Sequence, residues 1–201
     1  MFWSVFASFP TFSSFVWKDL LFNVGLILLS YIVHAYSLDE GLFFLIEKPS
    51  KLNYVYQINP SYHIGAKFPP YTLEDIAMVY ADPSNGCTEF SNARDVSGEV
   101  VLIERGDCPF IDKVLNAEKA GARIAIVTDS AGGSDDFIDM ITDDTDRKAN
   151  IPAAYLPGVS GKRIREYFIY EEPIVWIQIP LNYTTKALRD VDISKPPWEL
   201  W

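Results

Sequence analysis

The chain has 201 residues, of which 49% are hydrophobic, 14% aromatic and 22% charged, so it carries enough apolar material for a packed core and is unlike a disordered or low-complexity sequence. Its 27 Asp and Glu outnumber 17 Lys and Arg, and the resulting net charge of −10 opposes a phosphate backbone, which argues against nucleic acid as a partner. His34 and His63 are the only histidines, which leaves little for histidine catalysis or a zinc site.

The first 35 residues contain one Lys and one Asp, Lys18 and Asp19, followed by an apolar run from Leu20 to Val33 that Asn23 interrupts. At about 1.5 Å per residue this run reaches roughly 21 Å, short of the roughly 30 Å of a bilayer core, so a stable membrane span is not expected. Val33-His34-Ala35 fits the −3 and −1 pattern of signal-peptide cleavage before Tyr36. The reading is a signal peptide over 1–35, a folded domain over 36–184, a tail over 185–201 and a secreted, extracellular product. A signal anchor that recruits the aromatic lead Phe2 to Trp17 is the alternative.

In the domain, Leu42 to Ile46 and Leu52 to Ile58 read as strands on either side of a turn at Pro49-Ser50, and Ile76 to Tyr80 is a third. Glu99 to Glu104 is a continuously apolar strand. Pro109 suits the start of a helix whose apolar stripe is Phe110, Val114 and Ala117, with Ile111 and Leu115 widening it. Asp112, Lys113, Asn116, Glu118 and Lys119 fall on the opposite face. Gly121 ends this helix as a residue able to take positive φ, and Ile124 to Val127 follows as a second apolar strand. Strand, helix and strand with both strands apolar on both faces predict a parallel βαβ crossover. A short acid-rich helix is expected over Ser134 to Asp146, a strand over Ile151 to Leu156, a helix over Gly161 to Tyr170 and a closing strand over Ile174 to Ile179.

Cys87 and Cys108 are the two cysteines, and an even count in an oxidising compartment predicts a bridge. It would close a loop of about 21 residues, worth roughly 3 kcal/mol; two buried thiols are the alternative. Asn182-Tyr183-Thr184 is an N-glycosylation acceptor at Asn182. The chain shows no nucleophile elbow, no zincin pair of histidines, no dinucleotide or phosphate loop and no Cys-x-x-Cys. The reading is non-catalytic, with no cofactor and no metal. The aspartates between Asp135 and Asp146 lack the spacing of a calcium loop and read as a solvated face.

The segment Val100 to Phe110, with Arg105-Gly106-Asp107-Cys108-Pro109-Phe110 at its end, then Lys113, Ala117, Ala120-Gly121-Ala122, Ile126-Val127, Ile151-Pro152-Ala153 and Gly161, resembles the protease-associated domain family over about half the chain. That resemblance implies an α+β fold with a β-barrel or sandwich core and flanking helices. It implies a lid or interaction module beside peptidases, or a cargo-binding module like those of plant sorting receptors, and hence an unidentified protein or peptide as partner. An accessory subunit or regulator of a peptidase and a membrane-anchored luminal sorting module are the alternatives. By the same resemblance Arg105, Gly106 and Asp107 form a candidate peptide-binding loop, in which Arg105 pairs a partner's carboxylate; an Arg paired locally to Asp107 or solvated is the alternative. Trp198 and Trp201 are expected to dock on their own domain or to anchor a partner.

Overall fold

The computed structural model describes residues 42–133, 136, 138–181 and 195–198. The expected signal segment 1–35, the acceptor Asn182 and Trp201 lie outside the described residues.

Among the described residues seven strands and three helices follow one another: β1 (Leu42–Lys48), β2 (Val55–Pro60), β3 (Leu73–Tyr80), α1 (Ala93–Val96), β4 (Val100–Glu104), α2 (Phe110–Lys119), β5 (Ile124–Thr128), β6 (Ala153–Leu156), α3 (Gly158–Tyr170) and β7 (Ile174–Leu181). A 3-10 turn at Ser50–Leu52 joins the first two strands. The strands close into a barrel in the order β1-β2-β6-β5-β4-β3-β7. Antiparallel pairs join β7 to β1 and β3, and β2 to β1 and β6, whereas β3, β4, β5 and β6 run parallel. The β4–β5 register runs from Val100↔Ile124 to Glu104↔Thr128, and α2 lies between these two strands in the chain.

Strand alternation sends successive side chains to opposite faces, so the continuously apolar strands feed two cores at once. Val100, Leu102, Ile124, Ile126, Ala154 and Leu156 fill the barrel interior with Phe44, Tyr56, Met78 and Ile177. Val101, Ile103, Ala125, Val127 and Tyr155 face outward, where Ile111, Val114 and Ala117 of α2 cover them. β7 is covered on one side only: Val175, Ile177 and Ile179 are fully buried, while Ile174 and Trp176 on its other face are exposed.

Helix α2 ends as its glycine dictates. Gly121 has φ 83°, its N–H donates to the Glu118 carbonyl at 2.9 Å, and the Ala122 N–H donates to the Ala117 carbonyl at 3.0 Å. This is the Schellman arrangement, and Ala117 and Ala122 both lie in the outer core. Helix α3 starts three residues before the expected Gly161 and places Ile164 and Tyr167 in the interior cluster. At Gly161 it passes so close to β5 that a Cβ there would stand 1.7 Å from Thr128 Oγ1.

Two expectations are corrected. The described residues between 134 and 146 form no helix. Their side chains compete with helical hydrogen bonding: Asp143 Oδ1 accepts from the Thr145 N–H at 3.3 Å and from Thr145 Oγ1 at 2.5 Å, and Asp139 accepts from Asn59 Nδ2 at 2.8 Å. Lys113 is fully buried and does not belong to the solvated face of α2. Trp198 docks on its own domain: its ring meets Tyr54 edge-on at 5.4 Å between centroids, and Nε1 donates to Ser160 Oγ at 3.1 Å.

Candidate functional site

The carboxyl ends of β4 and β5 carry the loops that lead into α2 and into the acidic segment. The chain leaves β4 through Arg105, whose N–H donates to the Thr128 carbonyl at 2.8 Å and so extends the parallel ladder by one residue. It then turns sharply, with Gly106 at φ 109° and Asp107 at φ 64°. Asp tolerates the left-handed region better than most non-glycine residues, because its short side chain finds a local partner. Here Asp107 Oδ2 accepts from Asn85 Nδ2 at 2.8 Å.

Cys87 and Cys108 form the expected disulfide, with Cα atoms 5.8 Å apart. Lys113 reinforces it from below. Its Nζ donates to the Asn85 carbonyl at 2.5 Å and to the Gly106 carbonyl at 2.6 Å, and it lies 3.5 Å from Cys87 Sγ. Both carbonyls belong to the residue two positions before a bridged cysteine, so one ammonium holds the two arms that the disulfide joins. Burial pulls the Lys113 pKa below its ordinary value, against the attraction of Asp107, Glu104 and Asp112.

Arg105 reaches from the groove wall to a buried partner. Its Nε stands 2.9 Å from Oδ1 of Asp129, a carboxylate just past β5 that is 1% exposed. The Asp129 carbonyl accepts from Arg165 Nη1 at 2.5 Å, and Arg165 Nε lies 3.5 Å from Glu104 Oε1. Tyr80 donates its hydroxyl to the same Glu104 oxygen at 2.5 Å. Two guanidiniums and two carboxylates thus form a charge-balanced group at the ends of three adjacent parallel strands. Burial, reinforced by the Glu104 hydrogen bond, pushes the Tyr80 pKa well above the usual phenol range.

Beside this group a cavity of about 600 Å³ opens between the turn Arg105 to Phe110 and the segment Ile138 to Asp143. Phe110 lies on its wall, half-buried instead of sealed in the core as the helix stripe predicts, and Ile141 is 73% exposed at its edge. The Asp143 carboxylate at the rim is paired with Arg147, which also binds Asp112. The structure therefore brings Arg105, Gly106, Asp107 and Cys108 to one groove. The sequence left out Lys113, Asp129, Arg165 and Ile141. Lys113 had a signal, being a cation that the motif keeps inside its helix; Asp129 had none. Among the described residues there is no cluster of three or more His, Cys, Asp or Glu side chains able to hold a metal ion.

The closed barrel with its helices agrees with the α+β architecture that the protease-associated resemblance implies. The PA domain family matches residues 75–164, and the chain belongs to that family. A PRADC1-like protein of Drosophila melanogaster is 40% identical over 164 residues, which cover 80% of this chain and 82% of that protein. Signal peptide peptidase-like 2 of Arabidopsis thaliana is 35% identical over 91 residues, covering 44% of this chain and 16% of its own length. The E3 ubiquitin-protein ligase RNF13 of Bos taurus is 32% identical over 130 residues, covering 59% of this chain and 33% of its own. The chain thus spans a third or less of these two larger relatives. Among solved structures, a zinc aminopeptidase from Bacillus subtilis superposes with a TM-score of 0.48 at 19% identity, over 71% of this chain and 30% of that one. That likeness is too distant to bear on activity.

Proposed function

We propose that the protein is a secreted, N-glycosylated, non-catalytic module that binds a protein or peptide segment in the groove between Arg105–Phe110 and Ile138–Asp143. The observation that carries this reading is the groove itself: about 600 Å³ with an apolar wall, edged by an isoleucine that is 73% exposed. The non-catalytic reading is supported by how the motif residues are used. Cys108 is bridged, Lys113 holds loop carbonyls, Arg105 holds Asp129 and Gly121 ends a helix. Among the described residues no helix is long and apolar enough to cross a membrane. The signal peptide over 1–35 and the glycan on Asn182 complete the proposal.

Ile141 contributes little to the core, so Ile141→Asp is expected to abolish retention of a bound partner while leaving the melting temperature unchanged. Equal retention by both proteins would overturn the groove as the site, and peptide turnover that tracks the concentration of clean protein would overturn the non-catalytic reading. Secreted material should begin near Tyr36 by N-terminal sequencing, and Asn182→Gln should remove one endoglycosidase-sensitive mass increment.

A further inference from the structure

The groove is apolar in its wall and anionic in what it offers at the rim. Its lining contains one cation, Arg105, and two carboxylates, Asp107 and Asp143. Arg105 is engaged with the buried Asp129, and Asp143 with Arg147. Lys113 behind the turn is fully buried with its ammonium on the Asn85 and Gly106 carbonyls, and Arg147 at the rim is held by both Asp143 and Asp112. Asp107 remains. It is exposed, and the partner its carboxylate has across the loop is the neutral amide of Asn85. The chain as a whole carries a net charge of −10. An acidic ligand would have to share with Asp129 an Arg105 whose Nε is already taken, against this field, whereas a cationic one finds an exposed carboxylate beside an apolar wall.

We propose that the groove selects a segment carrying an apolar side chain next to Lys or Arg, with the apolar group against Phe110, Ile138 and Ile141 and the cation on Asp107. This rests on the groove being the binding site. Arg105 then acts as the support of the turn that aims Asp107, and it is Asp107 that sets which peptides are taken.

The test uses the secreted protein and three blocked, fluorescently labelled peptides that are identical except for the residue after a central Leu, which is Lys, Gln or Glu. Anisotropy titration at low salt should rank Lys above Gln above Glu, with about a tenfold step from Gln to Lys that shrinks as salt screens the exposed pair. Asp107→Asn keeps a residue type tolerant of positive φ and should erase that step. Two results would overturn the cationic preference while leaving the groove in place: a Glu peptide that binds as tightly as the Lys peptide, or a Lys preference that survives Asp107→Asn, each with binding still lost in Ile141→Asp. If no peptide binds, or binding ignores Ile141→Asp, both the preference and the groove reading fail.

Discussion

Arg105 and Asp129 form an ion pair of 2.9 Å with unequal exposure: the arginine side chain is 32% exposed, the aspartate 1%. The arginine is therefore the solvent-facing end of a buried charge, and removing it does more than change the surface. Arg105→Ala is expected to lower unfolding stability by about 1 to 3 kcal/mol, because a buried carboxylate loses its charged partner. A solvated arginine would leave stability nearly unchanged in that variant. Denaturant unfolding of Arg105→Ala, Asp129→Asn and the double variant should show a double-mutant coupling; strict additivity would mean that the pair contributes nothing.

Phe110 and Ile111 are adjacent but do different work. Ile111 is 1% exposed in the outer core, so Ile111→Ala should cost about 2 to 5 kcal/mol. Phe110 is half-buried on the groove wall, so Phe110→Ala should cost markedly less stability and instead weaken peptide binding. Thermal melts and titrations on the two variants separate the roles, and a larger stability loss at Phe110 would contradict the assignment.

The disulfide and Lys113 hold the same two arms. Replacing both cysteines, Cys87→Ser with Cys108→Ser, should lower stability by about 3 kcal/mol, the loop-closure contribution of some 20 residues. Lys113→Met removes the ammonium from both carbonyls, leaving Gly106 with the Cys108 N–H, and should cost about 1 to 3 kcal/mol in the oxidised protein. Native secreted material should contain no alkylatable thiol, and non-reducing peptide mapping should join the two cysteine peptides.

Tyr80 gives the fold an alkaline limit. Its phenol is held neutral above the ordinary value near 10, so the unfolded chain releases that proton first. The stabilisation is fully present below about pH 10 and is lost as the pH rises from there through the folded value. Stability measured from pH 8 to 11.5 should fall at the upper end, and Tyr80→Phe should flatten the fall. Burial pushes the Tyr167 pKa up as well, so part of the slope should survive. An unchanged slope would mean that the Tyr80 to Glu104 bond does not discriminate the protonation states.

The strands, helix α2 and its stop at Gly121 were legible in the sequence because each is set by neighbours along the chain: apolar runs, a proline, a glycine. What helical periodicity misplaces is Lys113, since a wheel sends every charge outward and cannot register that two loop carbonyls wait beneath this one. Asp129 and Arg165 meet Arg105 and Glu104 only because β4 and β5 lie side by side under α3, and no local pattern announces that. Ser134 to Asp146 has apolar spacing compatible with a helix, yet Asp143 and Thr145 satisfy one another first. The groove inherits all three misses, because its walls come from segments brought together by closure of the barrel.

That closure also limits how a partner can be held. Each of the seven strands has a neighbour on both sides, and even the shortest seam, β2 to β6, is stitched by Asn59↔Tyr155 and Pro60↔Ala154. An extended peptide therefore finds no free strand edge among the described residues to pair with, and main-chain laddering, the usual source of sequence-tolerant affinity, is denied to it. Recognition has to pass through side chains and loop carbonyls at the groove, so a change of one ligand residue should alter binding far more than a change in the ligand's length.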